Sequence, residues 1–377
     1  MNLEALTTPC LLLDPSRMDR NIARMDAKLA SLGVAARPHL KTAKSVDIAR
    51  RMMRTLSGPA TVSTLGEAEA FAAAGVNDIL YAVGIVPNKL MRVVKLRQRG
   101  AVDLSLILDS EVQARAVADA SRAFRDPIPV FIEIDADDHR AGVAPGDARL
   151  VAIGKILHEG GAELRGVMTH AGGSYDTPGA DAIAAMAERE RAAVVACAEA
   201  LRAAGLPCPV VSVGSTPTAT FARDLTGVTE ARVGVYVFMD LVMAGLGVCA
   251  VDDIAISVLA SVIGHQRAKG WILVDAGWMA LSRDRGTASQ AVDQGFGLVC
   301  DVDGRPFGDL IVHSANQEHG ILALREGSGA ALPELPVGAL VQILPNHACA
   351  TAAQHAAYHV LGEGRTVVEQ WERVGGW

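Results

Sequence analysis

Hydrophobic and polar positions follow two different patterns along this chain. Up to about residue 237, short β-branched apolar stretches alternate with longer segments in which apolar residues recur every three or four positions. In the segment 15–33, for example, Ile22, Met25, Leu29 and Leu32 form one apolar stripe. The longer pattern is typical of amphipathic helices and the shorter one of buried strands. The first two thirds of the chain therefore predict alternating strands and helices.

Eight strands and seven helices are predicted in this region. The strands cover residues 34–41, 60–63, 78–83, 103–108, 128–135, 164–170, 209–214 and 229–237. The helices cover residues 15–33, 45–54, 66–74, 87–99, 110–122, 147–159 and 180–204. Alternation favours parallel strand pairing, and eight such units suit a TIM-like (β/α)8 barrel. A doubly wound open sheet is the alternative, although it usually has fewer strands.

After about residue 240 the helical pattern fades and short strand-like stretches follow one another. These stretches, separated by turn sequences such as DVDGR, are 256–264, 270–277, 309–316 and 340–350. We expect a barrel at residues 13–243 and a mostly β domain at residues 244–377. Residues 1–12 are expected to form a strand that joins the β domain.

Composition excludes several classes of function. Half of the 377 residues are hydrophobic and 20% are charged, so the chain can bury a large core. A formal net charge of −7 without any basic run argues against a nucleic-acid partner. No apolar run is long enough to span a membrane, and the start MNLEALTTPCLLLD lacks the pattern of a signal peptide. The six scattered cysteines suit reduced thiols, so we expect a cytoplasmic protein.

The stretch RPHLKTAKS, residues 37–45, places two lysines at the end of the first predicted strand. Active sites of (β/α)8 barrels lie at the carboxyl ends of the strands. Lys41 would therefore present its amine at the barrel mouth, where partial desolvation makes an imine with an aldehyde feasible. Taken alone, the motif fits a surface lysine better. Lys44 is the rival amine, but its position suits the following loop or helix.

The predicted seventh strand runs into Gly214, Ser215 and Thr216. Backbone N–H groups at the start of a helix, with hydroxyls beside them, bind anions. Barrels favour phosphate sites after strands seven and eight, and Gly234 and Tyr236 of the eighth strand would reach the same place. An ordinary capped turn explains the sequence GSTPT equally well.

His347 and Cys349 are two positions apart in LPNHACA. On an extended chain such residues point to the same side, so they could share one divalent ion. Two protein ligands would leave open positions, which suits a metal that binds substrate. Glu318 and His319 in SANQEHG could be additional metal ligands, or they could form hydrogen bonds to the ligands and orient them. The His-x-Cys spacing alone is weak evidence.

Arg140 follows the fifth predicted strand in EIDADDHRAGV. It could carry a permanent positive charge into the barrel mouth. Alternatively, it could form a surface salt bridge with Asp135, Asp137 or Asp138.

Motifs along the whole chain resemble those of one family. In order, they are TPCLLLD, RPHLKTAKS, HRAGV, THAGGSY, GSTPT, GVYVFMD, VDAG, NQEHG and LPNHACAT. The chain resembles the D-serine dehydratase / D-threonine aldolase family, which belongs to the fold-type III pyridoxal 5′-phosphate (PLP) enzymes. Within that family, VSVGSTPT, VDAGWMALSRDRGTA and NQEHGIL are most similar to dehydratases of 3-hydroxyaspartate. The resemblance implies an alanine-racemase-like fold and a homodimer in which the barrel of one subunit meets the β domain of the other.

The resemblance also implies roles for individual residues. Lys41 would bind the aldehyde of PLP, Arg140 would lie near the pyridine nitrogen, and Tyr175 would line the ring and the substrate. The residues expected to contact the cofactor are Lys41, Arg140, His170, Tyr175, Gly214, Ser215, Thr216, Gly234 and Tyr236. His347 and Cys349 would bind a divalent metal, for which zinc, manganese, cobalt and magnesium are all compatible.

The implied reaction is dehydration of a β-hydroxy-D-amino acid to a 2-oxo acid and ammonia. The substrate would be D-threo-3-hydroxyaspartate, giving oxaloacetate, or D-serine, giving pyruvate. Family dehydratases carry His-x-Cys where the aldolases carry His-x-Asp, so Cys349 favours dehydration. Arg283 and Arg285 are candidates for a β-carboxylate by residue type alone. The alternatives are a D-threonine-type aldolase that releases glycine and a non-catalytic PLP-binding protein.

Overall fold

A computed structural model describes residues 1–100 and 102–377. Its strands are β1 Cys10–Leu13, β2 Ala35–Ala36, β3 Ala60–Val62, β4 Asp78–Gly84, β5 Asp103–Leu108, β6 Pro129–Ile134, β7 Glu163–Thr169, β8 Val210–Val213, β9 Glu230–Ala231, β10 Ile256–Gln266, β11 Trp271–Val274, β12 Leu298–Cys300, β13 Pro306–Ala315, β14 Gly320–Leu324, β15 Leu340–Leu344, β16 Ala357–Leu361 and β17 Val367–Glu372. Its α-helices are α1 Pro15–Ser31, α2 Val46–Met52, α3 Leu65–Ala73, α4 Pro87–Gly100, α5 Glu111–Phe124, α6 Arg149–Glu159, α7 Ala180–Ala203, α8 Thr216–Phe221, α9 Leu241–Gly245, α10 Trp278–Leu281 and α11 Ala348–Ala352.

One compact unit, here called the barrel unit, consists of Arg24–Gly234 and Val374–Trp377. Its parallel sheet has the strand order β2-β9-β8-β7-β6-β5-β4-β3. The two ends of this sheet meet at a parallel bridge between His39 and Thr61, where the Leu40 amide donates to the Thr61 carbonyl at 2.8 Å. The sheet therefore closes, which confirms the predicted α/β barrel.

The helices of the barrel unit cover the outside of its sheet. The seven predicted helices correspond to α1–α7, and each observed bound lies within two residues of the predicted one. Thr64 and Ser110 begin α3 and α5 by accepting a hydrogen bond from the backbone amide three residues later. Strand β6 is buried along its whole length, as expected for a parallel strand covered on both faces.

Strand β2 is shorter than the predicted strand 34–41. Pro38 has no N–H group and cannot continue a regular ladder. Pairing instead continues as single hydrogen bonds, because the amides of Arg37 and His39 donate to carbonyls in and just beyond β9 at 2.9 and 2.7 Å. Lys41 consequently lies in a turn and not at the end of a regular strand. Strand β9 likewise stops short of the predicted strand 229–237.

The second unit, here called the β unit, consists of Met1–Ala23 and Val235–Arg373. Its sheet has the order β11-β14-β13-β12-β15-β10-β1-β16-β17, with a further pairing between β10 and β11. Because β10 pairs with both β11 and β15, strands β10–β15 close on themselves as an antiparallel barrel. Strand β1 pairs antiparallel with β10 and parallel with β16. The β character predicted after residue 240 is confirmed, although β12, β14, β16 and β17 were not predicted.

Helix α1 contributes residues to both units, so the division falls after Ala23 and after Gly234. The sequence predicted boundaries near residues 12 and 243. The first half of α1 is tied to the β unit by the Asn21 side chain, which donates to the Asp253 carbonyl at 2.8 Å. The second half is tied to the barrel unit by Lys28, which donates to the Ala222 carbonyl at 2.8 Å. Across residues 1–100 and 102–377, none of the helices combines the length and the apolar character that crossing a bilayer requires.

Candidate active site

Lys41 lies at the mouth of the barrel unit, in the turn that follows the bridge between His39 and Thr61. Its side chain is exposed, so the expected partial desolvation by aliphatic neighbours is wrong for this structure. Among the described residues, no carboxylate forms a salt bridge with Lys41.

Lys44, the rival amine, is already engaged. Its Nζ lies 3.0 Å from the carboxylate of Glu67, a side chain that is fully buried. Glu67 also accepts a hydrogen bond from the Ser63 amide at 3.1 Å. A buried carboxylate holds its cation firmly, because losing the partner would leave an uncompensated charge. Of the two amines, Lys41 is therefore the one available to a ligand.

The C-terminal residues 374–377 also hold the lysine loop. The Val374 amide donates to the carbonyl of Lys44, and the Lys44 ammonium lies 5.8 Å from the ring centre of Trp377. Arg92 donates to the Trp377 carbonyl at 3.0 Å. This tail packs within the barrel unit, beside the turn that carries Lys41.

Two neutral histidines accompany Lys41. His170 follows β7, and its Nδ1 lies 2.7 Å from the Gly214 carbonyl, so Nδ1 must carry the proton that it donates. Burial lowers the pKa of His170 to about 3 against the opposing effect of that hydrogen bond, and nearby positive charges act in the same direction as burial. Burial and the charge of Lys41 also hold the pKa of His39 well below its usual value. Both rings are therefore neutral near pH 7.

Arg232, which the sequence analysis missed, is a buried cation of the same unit. Its guanidinium donates to the Ser212 hydroxyl and to the Thr169 carbonyl. Burial lowers the pKa of Arg232 to about 10, although the charges of surrounding glutamates oppose this shift. The group remains protonated at neutral pH. A charged residue inside the apolar pattern TEARVGVYV was the signal that could have identified it.

Arg140 is half exposed, and its guanidinium lies 3.5 Å from the Glu133 carboxylate. None of the aspartates proposed from sequence forms that salt bridge; Asp137 instead accepts from the Gly173 amide at 2.9 Å. Burial raises the pKa of Glu133, whereas the charge of Arg140 opposes the shift. Arg140 and Arg232 thus supply two guanidinium groups to the barrel unit.

The residues predicted to bind an anion lie at the start of α8. Ser215 caps the helix by accepting from the Thr218 amide, and its hydroxyl lies 2.9 Å from that of Ser174. Ser215 and Thr216 are both buried. Tyr175 lies in the neighbouring loop, where its ring centre is 6.2 Å from that of His170. The structure therefore brings the loops after β7 and β8 together.

Gly234 and Tyr236 differ in their placement. Gly234 lies close to the lysine loop, because a Cβ there would be 3.1 Å from the His39 carbonyl oxygen and the Thr42 hydroxyl. Tyr236 is fully buried in the short 3-10 helix Val235–Val237, which belongs to the β unit. Its role at the phosphate stays a prediction.

The barrel unit offers groups that suit an anionic aldehyde such as PLP. Lys41 provides an amine that has no salt-bridge partner among residues 1–100 and 102–377. The loop of Gly214, Ser215 and Thr216 provides a helix start with a buried hydroxyl. Arg232 adds a fixed positive charge. The donor set fits the cofactor that the resemblance implies.

The β unit carries the second group of predicted residues. His347 precedes α11, and Cys349 lies in its first turn. Strand β15 ends at Leu344, so the predicted strand 340–350 is too long and the two side chains do not lie on an extended chain. The helical turn nevertheless brings them together, because the His347 imidazole and the Cys349 side chain are hydrogen-bonded.

Asp284, another residue that the sequence analysis missed, fixes the His347 ring. Its carboxylate lies 2.6 Å from Nδ1, which leaves Nε2 as the nitrogen for a ligand. Burial alone would lower the pKa of His347, but the hydrogen bonds to Asp284 and Cys349 outweigh it and raise that pKa above its usual value. A divalent cation would displace the proton held between imidazole and sulfur. The site therefore suits a cation.

Asp240 supports the same motif from α9. One carboxylate oxygen accepts from the Ala348 amide and the other from the Met243 amide, both at 2.9 Å. The Ala348 amide lies between the two predicted ligands in the chain. Asp240 is buried and adds negative charge near His347, so a cation at this place would be further stabilised.

Glu318 and His319 do not complete a ligand set. Both are exposed in the turn between β13 and β14, and no group of three or more His, Cys, Asp or Glu residues suited to a metal occurs in the described chain. A cation bound by His347 and Cys349 alone would keep several positions for water or substrate.

The two arginines suggested for a β-carboxylate are in different situations. Arg285 forms a salt bridge with Asp293 at 2.7 Å, which is the structural role that its surroundings favour. Arg283 is exposed and lies 5.0 Å from the ring centre of Trp278. Arg283 directly precedes Asp284, the partner of His347.

Comparisons with known proteins agree with this architecture. Residues 13–242 match the family model described as alanine racemase, N-terminal domain, and residues 255–361 match the putative serine dehydratase domain. The chain is 55% identical to D-threo-3-hydroxyaspartate dehydratase from Delftia sp. strain HT23, over 100% of this chain and 99% of that protein. It belongs to the D-serine dehydratase / D-threonine aldolase family of PLP enzymes.

Other relatives show how widely this family varies. The D-serine dehydratase of Dictyostelium discoideum is 29% identical over 98% of this chain and 97% of that protein, and a 3-hydroxy-D-aspartate aldolase of Paracoccus denitrificans is 28% identical over 97% and 91%. The solved structure of the Delftia dehydratase superposes with a TM-score of 0.96 at 54% identity, covering both chains completely. A cysteine-to-alanine variant of that enzyme is described as a metal-free form, with a TM-score of 0.96 at 54% identity over 100% of both chains.

The role of Asp284 can be tested through metal affinity. The variant Asp284→Asn should bind Zn²⁺ or Mn²⁺ about 10–100-fold more weakly, because the amide no longer supplies the charged acceptor that orients His347. Isothermal titration of the metal into chelator-treated protein measures this directly. Asp303→Asn, at an exposed carboxylate of the same unit, is the matched control and should bind like the wild type. Equal affinity in the two variants would contradict the assignment.

The depressed pKa of His170 predicts an acid-dependent loss of stability. Below its ordinary pKa of about 6.5 the unfolded chain binds a proton that the folded chain, with a His170 pKa near 3, does not bind. The free energy of unfolding should therefore fall as pH decreases from 6.5 to 3 and be unaffected above that range. His170→Asn should reduce this slope by up to about 1.4 kcal/mol per pH unit. Urea unfolding at pH 4.5 to 7.5 measures it, with His313→Asn, at an exposed histidine, as control.

Proposed function

We propose that this protein is a PLP- and divalent-metal-dependent dehydratase of β-hydroxy-D-amino acids. The main reaction would convert D-threo-3-hydroxyaspartate to oxaloacetate and ammonia, and D-serine would give pyruvate and ammonia. The observation that carries this proposal is the 55% identity, over the whole chain, to an enzyme named for the first of these reactions. The Lys41 loop and the His347–Cys349 pair supply the groups that the chemistry needs.

Lys41 is the proton acceptor in this proposal. When bound, PLP supplies an aldehyde that condenses with amines and an electron-withdrawing ring that makes the Cα proton acidic. The Lys41 Nζ would first hold the aldehyde and would then be free to take the Cα proton. No carboxylate in the described part of the chain holds the Lys41 amine, which allows both roles, whereas the Lys44 amine is held by Glu67.

His347 and Cys349 would assist the departing hydroxyl. These two residues would hold a divalent ion, which would supply Lewis-acid chemistry to the departure of the hydroxyl group. Asp284 keeps the His347 tautomer that exposes Nε2, and Asp240 holds the backbone between the two ligands. Loss of the proton at Cα and of hydroxide at Cβ amounts to loss of water and leaves an enamine. Hydrolysis of the enamine takes up one water and yields the 2-oxo acid and ammonia.

The proposal extends to the metal, the assembly and the compartment. Imidazole and thiolate ligands suit zinc, but a site with open positions also accepts manganese, cobalt or magnesium. A homodimer is proposed because the family resemblance implies one. We place the protein in the cytoplasm, because the scattered spacing of its six cysteines suits reduced thiols and not a disulfide framework.

Retro-aldol cleavage is the competing activity, because aldolases are also among the relatives. Cleavage of the Cα–Cβ bond of 3-hydroxyaspartate would give glycine and glyoxylate without ammonia. The cysteine at position 349 supports dehydration, because the family's aldolases carry aspartate at the corresponding place.

Product analysis distinguishes the two reactions. Purified protein supplied with PLP and Mn²⁺ or Zn²⁺ is incubated with D-threo-3-hydroxyaspartate, its erythro isomer, D-serine and D-threonine. Ammonia and oxaloacetate should appear in equal amounts from the first substrate, with no glycine. Glycine without ammonia would establish an aldolase instead. Bound PLP without turnover of any of these substrates would indicate a non-catalytic PLP-binding protein.

The assignment of the amine predicts different behaviour for two lysine variants. Lys41→Ala should lose the visible absorbance of covalently held PLP and should lower turnover by at least about 10²–10⁴-fold, since the proton acceptor is gone. Lys44→Arg should keep both, because arginine preserves the ion pair with Glu67 but cannot form an imine. Absorbance spectra and ammonia release measure these effects. The opposite pattern would identify Lys44 as the reactive amine.

A further inference from the structure

Glu190 is a buried carboxylate that the proposed reaction does not use. It lies on the inner face of α7, with 3% of its surface exposed, among apolar residues of the same helix such as Ala187 and Val194. Among the described residues, no Lys, Arg or His forms a salt bridge with the Glu190 carboxylate. An apolar side chain would fill this position on the inner face of α7 equally well. The hydrogen bonds of Glu190 therefore indicate what its carboxylate contributes.

The Glu190 carboxylate joins two loops at the barrel mouth. Its Oε1 accepts from the Ala171 amide at 3.1 Å and from the Gly214 amide at 3.2 Å. Burial raises the pKa of the Glu190 carboxyl, whereas the nearby Thr218 side chain, in the first turn of α8, and these two amides lower it. Ala171 belongs to the loop after β7, and Gly214 to the loop after β8. The two backbone amides satisfy a group whose burial would otherwise be costly.

Gly214 is held from both sides as a result. Its amide donates to Glu190, and its carbonyl accepts from His170 at 2.7 Å. Its φ of +154°, together with a distance of 2.1 Å from an added Cβ to the Arg232 carbonyl oxygen, admits only glycine. The two peptide planes that lead into Ser215 and α8 are thus fixed in orientation. These two peptides carry the amides of Gly214 and Ser215, which donate to Glu190 and to the Thr218 hydroxyl. The predicted phosphate contact of the Gly214 amide is therefore already taken, and the two bonds instead hold the chain that leads to Thr216.

We propose that Glu190 is a positioning residue that holds the loop after β8 in the geometry required to bind the phosphate group of PLP. The inference rests on the proposed function, because it takes PLP as the cofactor. Glu190 acts through Gly214 and Thr218 and does not itself contact the cofactor. Its loss should therefore weaken recognition of the phosphate more than recognition of the rest of the cofactor.

The test compares PLP with pyridoxal, which lacks the phosphate. Glu190→Met keeps the side-chain length but removes the acceptor, whereas Glu190→Gln keeps an acceptor oxygen. Dissociation constants for both ligands are measured by absorbance titration of the cofactor-depleted protein, and thermal melting checks folding. Glu188→Gln, at an exposed residue of α7 that pairs with Arg191, is the matched control.

Glu190→Met should weaken PLP binding by at least tenfold and pyridoxal binding by less than threefold. Glu190→Gln and Glu188→Gln should stay within threefold of the wild type for both ligands. If Glu190→Met does not fold, Glu190→Asp, which withdraws the acceptor, should show the same preferential loss for PLP. Unchanged PLP binding, or equal losses for PLP and pyridoxal, would overturn the inference while leaving the proposed function intact. A wild-type protein that binds no PLP would overturn both.

Discussion

The geometry of the lysine site depends on how the barrel closes. Strand β2 has only two residues, but the chain that follows it is still hydrogen-bonded to both neighbouring segments. On one side His39 bonds to the chain beyond β9, and on the other it forms a parallel bridge with Thr61 of β3. These backbone hydrogen bonds fix the direction in which the chain leaves the sheet. The turn that follows carries Lys41 to the barrel mouth. If β2 were a longer regular strand, its hydrogen bonds to the neighbouring strands would end at a later residue, and the Lys41 side chain would point in a different direction.

The two units provide opposite electrostatic environments. In the barrel unit, burial keeps His39 and His170 neutral while the buried Arg232 remains protonated, so the unit suits an anion. In the β unit, Asp284 and Asp240 surround His347 with negative charge, so that unit suits a cation. An anionic cofactor and a divalent metal are the two partners that such a division favours.

The sequence predicted the parts of this molecule that depend on local pattern. Helices α1–α7 and the eight strands of the barrel follow from apolar periodicity, and Lys41, Ser215 and Cys349 follow from motifs. Asp284 lies 63 positions before His347 in the chain, so no spacing rule connects them, and only the fold does. Arg232 was missed because a charged residue within an apolar strand appears exposed unless its buried partners are known. The short strands β12 and β14 carry too few residues for a distinct pattern.

The tail of residues 374–377 has a practical consequence for anyone handling the protein. It lies against the carbonyl of Lys44 and is anchored by Arg92, next to the turn that carries Lys41. A purification tag or fluorescent fusion attached after Trp377 would begin at this very place and would compete with those contacts. An altered spectrum or turnover in such a fusion would then report on the attachment point and not on the native enzyme.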